Sequence, residues 1–322
     1  MTATLTAESA PASQFARPSG SRTFKNGLAS TLVTSAFLVA LVPLVWLLWT
    51  VISKGYHVIT SLAWWTESQR GKTFETAGGG AWHAIVGTLE QVALCSIISV
   101  PIAILVGIYL VEYGRGTFAR VTTFTVDILT GIPSIVAALF IYALFISTFG
   151  GARAGWLVSL ALVILMIPVI IRTTEEMLKL VPNELREASY ALGVPKWKTI
   201  VKIVLPTAFT GIVTGVVLGI ARVAGETAPL LILVGYSSNT NTDLFNNFQG
   251  SLPTLINDQF TNLNHATGGG AYHLDANGNR VVGSVANYAP DRMWGAALTL
   301  IAIVLLLNLI ARFISRFNKV AQ

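Results

Sequence analysis

The chain has 322 residues, of which 53% are hydrophobic and only 11% charged, and its formal net charge is +6. A soluble surface needs about 25% charged residues, so an ordinary soluble domain is excluded, and the long apolar runs give an all-α, multi-spanning integral membrane protein. The positive balance does not call for nucleic acid, because an excess of Lys and Arg in cytoplasmic loops produces the same sum.

Residues 1–27, rich in Ala, Ser and Thr with Arg17, Arg22 and Lys25, read as a disordered cytoplasmic tail. Leu28 to about Ile52 is the first span, too long and too far from the N-terminus for a cleaved signal core. The polar loop 53–83 carries Trp64-Trp65, suited to a membrane-interface anchor, and ends on Gly78-Gly79-Gly80. The second span covers about Ala84–Val111 with a kink at Pro101, the third about Val121–Phe149 and the fourth about Gly155–Ile171. The lone Cys95 lies in an apolar run and reads as a buried, inert thiol.

A polar interruption follows. Pro182, ahead of Asn-Glu-Leu-Arg-Glu, starts a helix that runs to about Leu192 and stops at Gly193, the residue type best able to take a left-handed C-terminal position. Pro195 starts a second helix, which Pro206 ends or kinks. The fifth span covers about Thr207–Val234 and the sixth about Met293–Phe313, with a short tail at 317–322. In the loop 236–291, Phe245, Phe248, Leu252, Leu255, Ile256 and Phe260 predict one amphipathic segment on the membrane surface.

With the N-terminus inside, segments facing the cytoplasm hold 14 of the 21 Lys and Arg residues and outside loops hold 5. This bias places both termini and the 182–206 region in the cytoplasm.

Charges within the spans need a protein or water environment. Gly211, Gly215, Gly219, Arg222, Glu226 and Pro229 step by three or four, so they are expected on one tightly packed helix face. Asp127, Gly131, Ser134 and Ala138 form a similar stripe on the third span, where Pro133 frees a carbonyl. Structural alternatives stand beside both: an Arg222–Glu226 ion pair, and a plain kink at Pro133. Arg172, Glu175, Glu176 and Lys179 mark the cytoplasmic end of the fourth span, where long side chains can snorkel. His57, His83, His265 and His273 lack metal-ligand spacing, and no Gly-rich loop ends in Gly-Lys-Ser/Thr, so the chain is not expected to hydrolyse ATP by that route.

Glu187-Ala188-Ser189, three residues, Gly193, nine residues, then Ile203-Val204-Leu205-Pro206 resembles the EAA loop of ABC importer permeases, with Ser189 where the family usually has a second Ala. Thr130-Gly131-Ile132-Pro133-Ser134-Ile135-Val136, the stretch from Ala221 to Leu231, and Gly78-Gly79-Gly80 leading to Gly87-Thr88-Leu89 resemble signatures of the phosphate-specific branch. Glu226-Thr227-Ala228-Pro229 is closer to the PstA type than to its PstC partner. The match covers roughly 28–315, within a permease domain expected at 28–316; residues 265–286 look like an insertion.

The resemblance implies six transmembrane helices with a cytoplasmic coupling helix between the fourth and fifth, in a bacterial cytoplasmic membrane. It implies a PstC-like permease partner, two PstB-like ATPase subunits that bind the ATP and Mg, and a PstS-like phosphate-binding receptor. No cofactor is expected in this chain. Arg222, Glu226, Asp127, Gly131, Pro133, Ser134 and Arg172 are then candidates for the substrate path, and Glu187, Ala188, Gly193, Leu205 and Pro206 for ATPase coupling. Three readings compete: a permease for another oxyanion such as sulfate or molybdate; a passive anion channel, which would have no use for an ATPase dock; and a membrane-embedded enzyme, whose candidate groups are Asp127 and Glu226.

Overall fold

A computed structural model describes residues 20–267, 272–274, 280–282 and 287–317. The chain divides into two units, one up to Thr50 and one from Val51 onward. Helix α1 (Gly20–Ile59) begins ahead of the expected first span. Within the first unit its apolar side chains, Phe37, Trp46 and Trp49 among them, are exposed, as suits a helix in lipid.

The second unit is a helical bundle. Its elements are α2 (Leu62–Thr66), α3 (Trp82–Ile108), α4 (Gly116–Thr130), α5 (Ser134–Ile141), α6 (Gly155–Lys179), α7 (Asn183–Ala191), α8 (Lys196–Thr199), α9 (Leu205–Ala224), α10 (Ala228–Leu233), α11 (Leu252–Thr267) and α12 (Ala289–Phe317). Strands β1 (Tyr272–Leu274) and β2 (Arg280–Val282) pair antiparallel within the expected insertion. Among the described residues, including α1, five helices are long and apolar enough to cross a membrane, and six if the bent pair α4 and α5 counts as one broken span.

Helix α6 is the core. The most apolar stretch of α6 is 67% buried, against 22% for those of α3 and α12. Small residues let its neighbours close in. On α9, a Cβ added at Gly211, Gly215 or Gly219 would meet Met177, Thr173 or Ile170 of α6. The tightly packed glycine face is therefore an α6–α9 seam within this chain. On α3, Gly107 lies against Thr174 of α6.

One end of the bundle is closed by loops. The segment 235–251 lies over the starts of α3 and α6: Leu252 N–H donates to Thr88 Oγ1 at 2.8 Å, Gln91 Nε2 to Gln249 Oε1 at 2.8 Å, and Trp156 N–H to the Leu244 carbonyl at 2.9 Å. Only glycine fits at 87, where a Cβ would lie 2.0 Å from the Gly250 carbonyl oxygen. The expected single amphipathic segment here is corrected. Leu252 and Leu255 are fully buried in a core cluster, whereas Phe245, Phe248 and Phe260 are exposed. Trp64 is likewise buried, its indole donating to Thr299 Oγ1 at 2.9 Å, and only Trp65 stays near the surface.

The opposite end carries the α7–α8 hairpin. Helix α7 stops at Ala191, and Gly193 takes φ +75°, the left-handed conformation expected of it. Pro206 does not end the second helix. It sits in the first turn of α9, behind a π-helical turn (Ile200–Val204) that accommodates its missing donor.

Candidate functional site

The two signature stretches both fall where helices break. At Gly131-Ile132-Pro133 the chain bends by 105° between α4 and α5, and Pro133, extended at ψ 139°, caps α5. At Gly225-Glu226-Thr227, α9 ends and α10 begins. The short helices after the breaks pack against each other, with Ala138 and Ile141 of α5 and Leu230 and Leu233 of α10 in the same core cluster.

The breaks correct both predicted stripes. Asp127 and Gly131 do not share a helix with Ser134 and Ala138, because the 105° bend redirects the backbone between them. Glu226 and Pro229 do not continue the face of Gly211, Gly215 and Gly219, because α9 stops at Ala224. Arg222 is exposed on the surface of this chain and Glu226 is half-buried. Being exposed, Arg222 does not sit in the packed seam, and among the described residues no ion pair joins it to Glu226.

Asp127 instead meets Arg172. The Arg172 guanidinium donates to the Asp127 carboxylate from one nitrogen and to Glu175 Oε2 from another at 2.8 Å, while Lys179 lies 3.9 Å from the same Glu175 oxygen. These groups line a pocket of about 460 Å³ together with Arg120, Thr123 and Phe124. Exposure is graded across the cluster: Asp127 is 60% exposed, Arg172 31% and Glu175 6%. A fixed acid holds the guanidinium from the protein side, and a solvent-facing acid occupies its other edge. Asp127 and Arg172 are thus brought together, and Gly131, Pro133 and Ser134 lie at the adjacent break. Arg222 and Glu226 form no part of this cluster.

On the hairpin, Glu187 and Ala188 are exposed on α7 and Gly193 is exposed at its tip. Leu192 is 84% exposed, Leu180 72% and Trp197 63%, which leaves an apolar, solvent-facing surface around them. Leu205 and Pro206 line an apolar groove of about 450 Å³ between α3 and α9. Ser189 is buried, its hydroxyl 2.8 Å from that of Thr199, so the departure from alanine ties α7 to α8.

A second arginine cluster was not singled out by the sequence. Arg186 of α7 pairs with Glu112 at 2.9 Å and donates to the Leu178 and Val181 carbonyls at the end of α6, at 2.9 and 2.6 Å. Lys196 of α8 donates to the Glu112 carbonyl and lies 4.7 Å over the Tyr113 ring. The available signal was Glu112 itself, the one acid between Glu90 and Asp127 in a long apolar region.

A sequence profile described as the binding-protein-dependent transport system inner membrane component matches residues 99–319. The chain belongs to this family of transport permeases. It is 52% identical over 293 residues, 91% of this chain and 89% of the relative, to the phosphate transport system permease protein PstA 1 of Mycobacterium tuberculosis (strain CDC 1551 / Oshkosh). To the phosphate transport system permease protein PstA of Yersinia pestis it is 45% identical, over 68% of this chain and 74% of the relative. Among solved structures, the permease fold aligns with a chain of the bacterial alginate ABC transporter in complex with alginate pentasaccharide-bound periplasmic protein. The TM-score is 0.60 at 14% identity, over 94% of this chain and 99% of that one. It also aligns with a chain of the inward-facing MetNI methionine ABC transporter, with a TM-score of 0.51 at 18% identity over 74% and 94%. These two likenesses speak to the fold.

Proposed function

We propose that this permease is a translocation subunit of an ATP-driven phosphate importer. The observation that carries the reading is the identity of 52% with a PstA permease over 91% of this chain. The hairpin end is assigned to the cytoplasm, on the bias of Lys and Arg toward that end. The exposed face around Leu192 and Trp197 is then the dock for an ATPase subunit, with Glu187, Ala188 and Gly193 on the docking hairpin and Leu205 and Pro206 where it joins α9. Two PstB-like ATPases, a PstC-like permease beside this chain and a PstS-like receptor at the loop-covered end complete the assembly.

Phosphate near neutral pH carries one to two negative charges, so its path needs fixed cations and donors. Arg172 offers a planar fork suited to an oxyanion. Its Glu175 partner is buried and stays, whereas Asp127 is exposed enough to be exchanged, so phosphate displaces Asp127 from the guanidinium as it passes. Arg120 and Lys179 add positive charge to the same pocket. Arg222, exposed on this chain's surface, faces the path between this permease and its partner, near Glu226. No bond of phosphate is made or broken in these steps.

The test is ATP-dependent uptake of labelled phosphate by the reconstituted assembly, with sulfate and molybdate as competitors. Phosphate is expected to be taken up in preference to both. Arg172→Gln and Arg222→Gln are each expected to abolish uptake at matched expression, and Lys at either position to restore it only in part. Wild-type uptake by both Gln variants would overturn the assigned path, and preferential sulfate or molybdate uptake would overturn the substrate.

A further inference from the structure

We propose that Glu112, Arg186 and Lys196 form the clamp through which the α7–α8 hairpin drives the second span, with Arg186 and Lys196 acting as positioning residues for transport. The proposal rests on the reading of the hairpin as an ATPase dock.

Helix α7 has little apolar attachment to the bundle: Ser189 is its one buried residue. What holds it is polar. The Arg186 guanidinium reaches back under the hairpin and binds two kinds of partner at once. One is the end of α6, where Arg186 donates to the carbonyl of Leu178, in the last turn at the negative end of the helix dipole, and to that of Val181 just beyond the helix. The other is Glu112, whose side chain is 5% exposed and whose Oε1 accepts from both Nε and Nη2 at 3.2 and 2.9 Å.

Lys196 grips the same place from the other arm of the hairpin, at the Glu112 carbonyl and the Tyr113 ring. Cations on both sides of the Gly193 turn therefore converge on two consecutive residues at the end of α3. Those residues close a π-helical turn, Tyr109–Tyr113, that continues α3 without a break. The hairpin cannot be displaced without pulling on this turn or breaking a buried charge pair, and breaking a buried pair is the costlier course. A push on α7 thus reaches the second span as well as α6 and α9, to which the hairpin is joined by the chain.

The experiment uses the full importer in proteoliposomes, reading ATP hydrolysed and phosphate accumulated in the same sample. If the wild-type assembly shows no ATP-dependent phosphate uptake, the functional reading fails, and the dock on which the clamp rests fails with it. Given wild-type coupling, Glu112→Gln keeps the size and an acceptor while removing the charge, and leaves Arg186 its carbonyl partners. Hydrolysis is expected to stay within about twofold of wild type while uptake falls about tenfold, the scale of one charged hydrogen bond. Arg186→Lys, which keeps the charge and loses the fork, is expected to fall between. An unchanged ratio of ATP to phosphate in an assembled Glu112→Gln importer overturns the clamp. Should Glu112→Gln not assemble, Lys196→Gln is read the same way. A ratio raised about threefold supports the clamp and an unchanged ratio overturns it.

Discussion

Two arginines stand fourteen positions apart, near the same end of α6, and are built for opposite purposes. Arg172 faces a pocket, with one buried acid behind it and one exposed acid in front. Arg186 is 12% exposed and its carboxylate partner 5%, and two carbonyls of the α6 end fill its remaining fork. The chemistry is the same guanidinium–carboxylate pairing. Burial decides whether the partner can leave. A solvent-facing pair is weak and exchangeable, whereas a buried one is a fixture because neither charge has anywhere else to go.

That contrast can be broken most directly at the fixture. Arg186→Ala leaves the Glu112 charge buried without its partner, and a loss of about 3 kcal/mol or more is expected in the thermal unfolding of the purified chain. A change under about 1 kcal/mol would put Arg186 in the same class as Arg172. The seam that holds α6 in register with α9 gives the next largest effect. At Gly215 a Cβ alone would lie 2.3 Å from Thr173 Oγ1, so Gly215→Leu is expected to cost about 1–3 kcal/mol and lower the melting temperature. Melting like wild type would mean the seam is loose.

Gly193→Val tests the hairpin tip between the two cations of the clamp. Nothing lies within 4 Å of an added Cβ there, so the cost is conformational only, roughly 1–2 kcal/mol at φ +75°. Insertion is expected to persist while phosphate uptake uncouples from ATP hydrolysis; normal uptake by stable protein would count against the hairpin's role. The smallest stability effect belongs to Asp127→Asn, less than about 1 kcal/mol, because its carboxylate is mostly solvated. Its expected signature is functional: a changed KM for phosphate with the melting temperature unmoved. A melting shift as large as that of Arg186→Ala would erase the difference between the clusters.

Much of this architecture was legible in the chain. Long apolar runs gave the spans, and Pro182, Gly193 and Pro195 gave the hairpin, because proline and glycine act through local backbone sterics that need no partner. The glycine spacing at Gly211, Gly215 and Gly219 identified the packed seam because small residues at helical spacing leave room for a neighbouring helix to approach. What failed was continuity. The stripes through Asp127–Ala138 and Gly211–Pro229 assumed unbroken helices, yet Gly131 with Pro133, and Gly225, mark the places where the backbone turns. Periodicity cannot tell a continuous face from two short helices whose apolar residues happen to stay in step. The Asp127–Arg172 and Glu112–Arg186 pairs were out of reach because the partners lie 45 and 74 residues apart, on elements whose adjacency only packing decides.

Arg292 of α12 has a consequence for how the chain comes to be made. Its guanidinium is buried and donates to the carbonyls of Thr73, Thr76 and Gly78, and Trp64 likewise donates to Thr299. These bonds join stretches separated by more than 200 residues. During synthesis the loop 67–80 emerges early, while the side chain that fixes its carbonyls is translated after five spans have passed. The first extramembrane loop is therefore among the last parts to reach its native form. A chain truncated before α12 should insert its earlier spans but leave this loop open to proteolysis, and an Arg292→Ala chain should show the same cleavage at full length.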